Sequence, residues 1–364
     1  MDSSRNDNQV TLQDVAREAG VSPATVSLVM NNRAGITDET RQRVLEAAKK
    51  LNYRRKPRKR SSGHGNLLAL VMEELPIPVF ADSFCGAIVS GINEAALAAG
   101  YHVVLAIVKP GNGAEMEIPP VIASGEASGA IILGGGDLQD EFLLRLAEAS
   151  ESVVLVDNHV YGQSLPSVLA NNLEAGFLAT QHLLSLGHTR IGFIQGSPKY
   201  KPLNERLLGY LLALRLAGID FDPGLLPPRL SHGREKGRQE MDALLALANP
   251  PTAVVCASDQ TAFNALVVAR QAKLTIPKDI SIVGIDDIAE AAVQEPPLTT
   301  VHIPKQEMGS TAVRLLVTSD EVVDSGYHLV LGTELVIRES TCPPRGSSLI
   351  SFSGGDAVKT TSAV

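Results

Sequence analysis

Residues 11–31 read Thr-Leu-Gln-Asp-Val-Ala-Arg-Glu-Ala-Gly-Val-Ser-Pro-Ala-Thr-Val-Ser-Leu-Val-Met-Asn. Their punctuation is that of two short helices around a three-residue turn. Thr11 stands three residues ahead of Asp14, so a hydroxyl and a carboxylate can cap the first helix. That helix carries Leu12, Val15, Ala16 and Ala19 on one face. Gly20 accepts the left-handed conformation that stops it. Ser22 is a good N-cap for the second helix, and Pro23 fits its first position, where a missing N–H costs nothing. Val26, Val29 and Met30 then return to the core. This is helix-turn-helix punctuation, in which the second helix presents its N-terminal residues to the DNA major groove.

An αα-hairpin inside a larger domain gives the same local pattern, and the flanking sequence narrows the choice. Ile36-Thr37-Asp38-Glu39 caps a third helix through Leu51, with Val44, Ala48 and Leu51 on one face. The result is a three-helix headpiece over residues 1–53. Its DNA-facing candidates are Thr11, Ser22, Pro23, Ala24, Thr25, Ser27, Leu28 and Asn31. Thr25 and Ser27 can donate to phosphates or base edges, or be ordinary surface hydroxyls. Ala24 and Leu28 offer methyl contact to thymine, although Leu28 fits the core equally well.

Charge separates the two ends of the chain. Residues 1–65 hold thirteen Lys/Arg against seven Asp/Glu, whereas the other 299 hold nineteen against thirty-three. A basic head on an acidic body places any polyanionic partner at the head. The segment Arg54-Arg55-Lys56-Pro57-Arg58-Lys59-Arg60 is followed by Ser61-Ser62-Gly63-His64-Gly65 and ends where an apolar strand begins at Leu67. Residues 54–65 thus form a linker, read as a phosphate- or minor-groove-contacting arm through Arg54, Arg55, Lys56, Arg58, Lys59 and Arg60 or as a solvated spacer.

From Leu67 the chain alternates apolar strands (67–72, 103–108, 130–133, 153–156, 191–194, 253–256 and 280–285) with amphipathic helices (87–99, 139–149, 174–186, 205–217, 237–248 and 261–271). Continuous apolar strands joined by crossover helices form parallel sheets covered on both faces, which bind ligands at the carboxyl ends of their strands. Asp157, Ser258-Asp259 and Asp286-Asp287 fall on that rim. No GxGxxG follows a strand, Gly134-Gly135-Gly136 having the wrong spacing, and GxxxxGK[ST], GxSxG and HExxH are missing. The three cysteines lack CxxC spacing and fit a reducing cytoplasm. No apolar run reaches the ~18 residues of a membrane span, and the N-terminus has no secretory h-region. A non-enzymatic, cytoplasmic protein with neither cofactor, metal nor membrane contact is expected.

Several motifs carry a resemblance. They are Val10-Thr11-Leu12-Gln13-Asp14-Val15-Ala16, Gly20-Val21-Ser22, Thr25-Val26-Ser27, Leu51-Asn52-Tyr53, Leu186 to Ile194, Glu205 to Tyr210, Gly284-Ile285-Asp286-Asp287 and Pro296-Pro297-Leu298-Thr299-Thr300. In this order they resemble the lactose/galactose-repressor (LacI/GalR) family of bacterial transcription regulators, over about residues 10–340. The resemblance implies an all-α headpiece on an α/β core like the periplasmic sugar-binding proteins, made of two doubly wound lobes over residues 66–341. The N-lobe would hold about 66–165 and 300–323, the C-lobe about 166–295 and 325–341. It implies a homodimer on double-stranded operator DNA, with a small carbohydrate-like effector between the lobes. Rival readings are a sugar-binding protein with no DNA role and an α/β enzyme fused to a DNA-binding domain.

The implied effector residues are Phe84, Asp157, Arg206, His232, Ser258 and Asp286. Each has a plainer alternative. Phe84 suits the core, Arg206 one residue inside a helix start suits a surface ion pair with Glu205, and His232 suits a solvated loop. Asp286 and Asp287 suit helix capping of Ile288–Val293. The sequence departs from the family at four places. Pro57 and the lack of a leucine argue against an intercalating hinge helix. Pro23, Ala24 and Leu28 stand where long polar side chains are usual, and Ser258 replaces the usual Asn. The tail 342–364 has no leucine heptads and is expected to be disordered.

Overall fold

A computed structural model describes residues 12–22, 25, 26, 29, 37–51, 66–75, 81–109, 111, 115–134, 136, 138–150, 152–229, 235–318 and 327–345. In the headpiece, α1 (Leu12–Ala19) and α2 (Asp38–Lys50) flank helical Thr25, Val26 and Val29. Val15, Ala16, Ala19, Val26, Val29, Val44, Ala47 and Ala48 form one buried cluster, so the apolar spacing of all three segments closes a single small core. Gly20 takes φ +65, the backbone that ends α1. Ser22 caps the next segment, its Oγ accepting the Thr25 N–H at 3.0 Å. Thr37 does the same for α2 through the Thr40 N–H. Lys50 ties α2 to Glu18 of α1 at 2.6 Å.

The core holds two sheets. The first has the order β10-β5-β4-β3-β1-β2, built from β1 (Leu67–Glu73), β2 (His102–Val108), β3 (Ala130–Leu133), β4 (Val153–Val156), β5 (Ser167–Ala170) and β10 (His328–Leu331). All its pairings are parallel. The second has the order β11-β9-β8-β7-β6, with β6 (Ile191–Ile194), β7 (Ala253–Cys256), β8 (Ser281–Asp286), β9 (Thr299–His302) and an antiparallel edge strand β11 (Glu334–Val336). Between the strands run α3 (Ser83–Ala98), α4 (Pro120–Ala123), α5 (Asp140–Ala149), α6 (Asn172–Ser185), α7 (Lys201–Leu216), α8 (Arg238–Leu245), α9 (Asp259–Gln271) and α10 (Lys305–Thr318). Strands β1, β3, β4, β6, β7 and β8 are buried nearly end to end, as a sheet with helices on both faces requires.

The sheet order moves the lobe boundaries. Residues 167–170 and 328–331, expected in the second lobe, pair within the first sheet, and 299–302, expected partly in the first, pair within the second. A strand belongs where its backbone finds hydrogen bonds, and β5 finds them on β4 and β10. The chain therefore crosses between lobes at 170–172, 302–305 and 331–334. Residues 342–345, expected within a disordered tail, are ordered. The Cys342 carbonyl accepts bonds from His188 and Ser281, which hold the chain to the second lobe. Residues 346–364 lie outside the described residues.

Helices α6 and α7 touch backbone to backbone. A Cβ at Gly176 would run into the Arg206 carbonyl, and one at Gly209 into the Leu173 carbonyl. Gly209→Ala is therefore expected to lower stability by about 1–3 kcal/mol in urea unfolding, the usual cost of overpacking. A cost near zero would show that the helices separate freely.

Candidate functional site

The close seating of α6 on α7 brings Arg206 under the carboxyl ends of the second sheet. The helix begins at Lys201, so Arg206 lies in its second turn and not one residue inside its start. A surface pair with Glu205 is excluded by burial, since Arg206 is only 2% exposed. Its Nε donates to Asn172 Oδ1 at 2.9 Å, and its Nη1 donates to the Ala257 carbonyl at 2.7 Å and to Asp286 Oδ1 at 2.8 Å. These bonds join the start of α6, the end of β7 and the end of β8 around one guanidinium, and among the described residues Nη2 has no partner.

Facing this cluster from the first sheet, directly after β4, is Asp157. Its Oδ1 is buried and has no hydrogen-bond partner among the described residues. Burial, only partly offset by Arg206, pushes its carboxyl up to about 7. Asp286 is raised for the same reason, against the pull of Arg206 and Lys305. Asp157, Asp286 and Asp287 take φ of 57, 139 and 52, backbone that non-glycine residues rarely adopt. All three stand at or just after strand ends on the rim of the cleft. The Asp157 carboxyl has a raised folded pKa, so stability is present at low pH and is lost as pH rises from 3.8 toward about 7. Each pH unit in that window costs about 1.4 kcal/mol. Asp157→Asn is thus expected to stabilise the ligand-free protein at pH 8 and to be neutral at pH 4, measured by urea unfolding at both. Equal effects at both would remove Asp157 from the buried cleft.

Other candidates lie differently. Ser258 caps α9, its Oγ accepting the Thr261 N–H at 3.3 Å and pairing with the Thr261 hydroxyl at 2.9 Å, so its hydroxyl is committed to the helix start. Phe84 sits in the first turn of α3, half-buried against the main core cluster. Neither rim aspartate caps the turn after it. Asp287 instead pairs with Arg338 at 2.6 Å and His302 at 2.9 Å, and the Ile288 N–H goes to Asp259. Thr25 is half-buried, its hydroxyl 2.9 Å from that of Ser22. His232, Thr11, Pro23, Ala24, Ser27, Leu28, Asn31 and the whole linker 54–60 lie outside the described residues.

Sequence reasoning missed the supports. Asn172 aligns the guanidinium and is itself fixed by its Nδ2 donating to the Ala170 carbonyl at the first crossover. Lys305, buried at the second crossover, donates Nζ to the main-chain carbonyls of Asp286, Asp287 and Ile303. Asp259 accepts from the Thr300 hydroxyl at 2.6 Å, and burial beside Asp286 pushes it up to about 7. The sequence places Asp259 on the strand-end rim, though without this supporting role, whereas Asn172 follows the short strand β5, which leaves no pattern to read. Among the described residues no cluster of three or more His, Cys, Asp or Glu could hold a metal ion, and no helix is long and apolar enough to cross a membrane.

What this arrangement offers a ligand is a buried guanidinium–carboxylate pair on one wall and an unsatisfied carboxyl on the other. Comparison with known proteins agrees on both ends of the chain. The model described as bacterial regulatory proteins, lacI family, matches residues 11–56, and that of the periplasmic binding protein-like domain matches residues 180–341. The HTH-type transcriptional regulator MalR of Streptomyces coelicolor is 36% identical over 346 residues, covering 92% of this chain and 97% of MalR. The solved complex of the transcriptional regulator CelR with cellobiose is 32% identical, with TM-score 0.67, over 91% of this chain and 100% of CelR. The lac repressor dimer bound to operator and the anti-inducer ONPF is 25% identical, with TM-score 0.65, over 92% of this chain and 99% of that one.

Proposed function

Because this chain belongs to the lacI family of bacterial regulatory proteins, we propose that it is a transcriptional repressor whose affinity for a palindromic operator is set by a small sugar-like effector bound between its lobes. The observation that carries this reading is the buried Arg206–Asp286 pair opposite the unpartnered Asp157. A guanidinium with a free Nη2 donates to vicinal ring hydroxyls, while the carboxyls of Asp157 and Asp286 accept from them. Arg206 and Asp286 move with the second sheet and Asp157 with the first, so a ligand that bridges them favours one lobe geometry over others. Such a differential contact is what an effector needs in order to shift an equilibrium. The named CelR complex holds a sugar in the same fold, and the lac repressor complex holds an operator.

Homodimerisation belongs to the same proposal. Strand β2 is the outer edge of the first sheet and exposes Leu105 and Ile107, apolar side chains that a second copy can cover. The test is selection of genomic fragments by the purified full chain, followed by titration of a sugar panel into the protein–DNA complex. A palindromic site released by at least one sugar is expected. A chain that selects no common site would overturn the repressor reading.

A further inference from the structure

Two side chains at the start of α7 reach across the cleft to the other lobe. The Tyr200 hydroxyl donates to Glu73 Oε1 at 2.6 Å, at the carboxyl end of β1. Lys201 Nζ pairs with Asp140 at 2.8 Å and also donates to the His159 carbonyl. On the far side, Ser83 of the first lobe donates to Glu290 of the second. Arg206, which pairs with Asp286, lies further along the same helix α7.

The triple glycine that sequence analysis could not assign to a nucleotide has a role here. The Tyr200 ring lies on Gly136, where an added Cβ would come within 2.6 Å of Cε1 and 2.8 Å of Cζ. Any side chain at position 136 would displace the ring. Glu73 ends β1 as Asp157 follows β4, so both stand at the carboxyl ends of strands of the first sheet. From Tyr200 to Arg206 the helix rises only about 9 Å, at about 1.5 Å per residue.

Resting on the effector reading above, we propose that Tyr200, seated on Gly136 and held by Glu73, limits the effector to a single sugar ring. A second ring would need the space the phenol fills. The phenol acts as a specificity-determining group, and the Glu73 bond positions it.

The test is thermal shift and calorimetry on the full chain with glucose, galactose and ribose against cellobiose, maltose and lactose. The wild type is expected to bind at least one monosaccharide and to disfavour every disaccharide containing it by at least about tenfold, the lower end of what pocket shape achieves. Tyr200→Ala should erase that preference while keeping monosaccharide binding. Gly136→Ala should do the same by moving the ring, which separates the steric role from loss of the phenol. Tyr200→Phe keeps the ring but loses its bond to Glu73, so the preference should weaken without being lost, whereas Glu73→Gln still offers an acceptor oxygen and should keep it. A wild type that binds a disaccharide as tightly as its component sugar overturns the size limit alone, as does an unchanged preference in both Tyr200→Ala and Gly136→Ala. A wild type that binds no sugar of either size overturns the effector reading and the size limit with it.

Discussion

Arg206→Ala is expected to destabilise the effector-free protein by about 3–5 kcal/mol at pH 8 and to abolish its response to sugars. Removing one partner of a buried pair leaves the other charge uncompensated, which is the costly way to break such a pair. Here the remaining charges are Asp286, bonded directly to the guanidinium, and Asp157, whose carboxyl Arg206 pulls down against burial. Asn172 Oδ1 and the Ala257 carbonyl lose their donor at the same time.

The pH dependence gives the sign. Without Arg206 both carboxyls rise further, and a carboxyl with a raised folded pKa costs stability as pH climbs through it. The loss in Arg206→Ala should therefore be smaller at pH 5, where protonation relieves both groups, than at pH 8. Arg206→Lys should not rescue it, because an ammonium cannot supply the fork that reaches Asn172, Ala257 and Asp286 together. Urea unfolding of the three proteins at the two pH values decides the matter. A variant as stable as wild type at both would mean that the pair is not buried in solution.

How much of this was legible follows from how local each signal is. Val15, Ala16, Ala19, Val26, Val29 and Val44 are buried as their spacing predicts, because a short helix reports its core face within two turns. Strands β3, β4, β6 and β7 begin and end where their apolar runs do. Strands β5, β9, β10 and β11, three or four residues each, were not read at all. They owe their existence to backbone partners far away in sequence, and β5 in particular carries no alternation distinct from the loop around it. The same division holds in the cleft. Asp157 and Asp286 stand at the ends of apolar strands that the sequence shows, whereas Arg206 comes from the resemblance, on a helix that starts at Lys201 and not at residue 205. Their supports join residues 34 apart, as in Arg206 with Asn172, or 127 apart, as in Tyr200 with Glu73, and no single-sequence pattern encodes such a pairing. Ser258 shows how one position carries two meanings. A serine after a strand and before a helix suits both a ligand contact and an N-cap, and here it makes the cap.

Neutralising Arg58, Lys59 and Arg60 together is expected to weaken binding to operator and to random DNA alike and to flatten the salt dependence of both. Six of the seven residues 54–60 are basic. Charge so dense beside a helix-turn-helix acts on phosphates, and each phosphate neutralised adds about −0.9 to the slope of log affinity against log salt. In the proposed dimer the triple change removes up to six contacts, so the slope should flatten by several units, at most about five. Over a fourfold rise in salt, a slope change of that size is worth up to about 10³ in affinity. Thr25→Leu makes the contrasting case. In the proposed operator complex Thr25 faces the groove, so the change should cost operator affinity while leaving random-DNA binding and the salt slope nearly unchanged, since base contacts specify and phosphate contacts only position. Affinities measured across salt concentrations for both variants, on operator and random duplexes, separate the two roles. An unaltered slope in the triple variant, or an operator complex kinked sharply at its central step by a helix over 56–62, would show that the basic segment inserts as a wedge and does not act as an electrostatic arm.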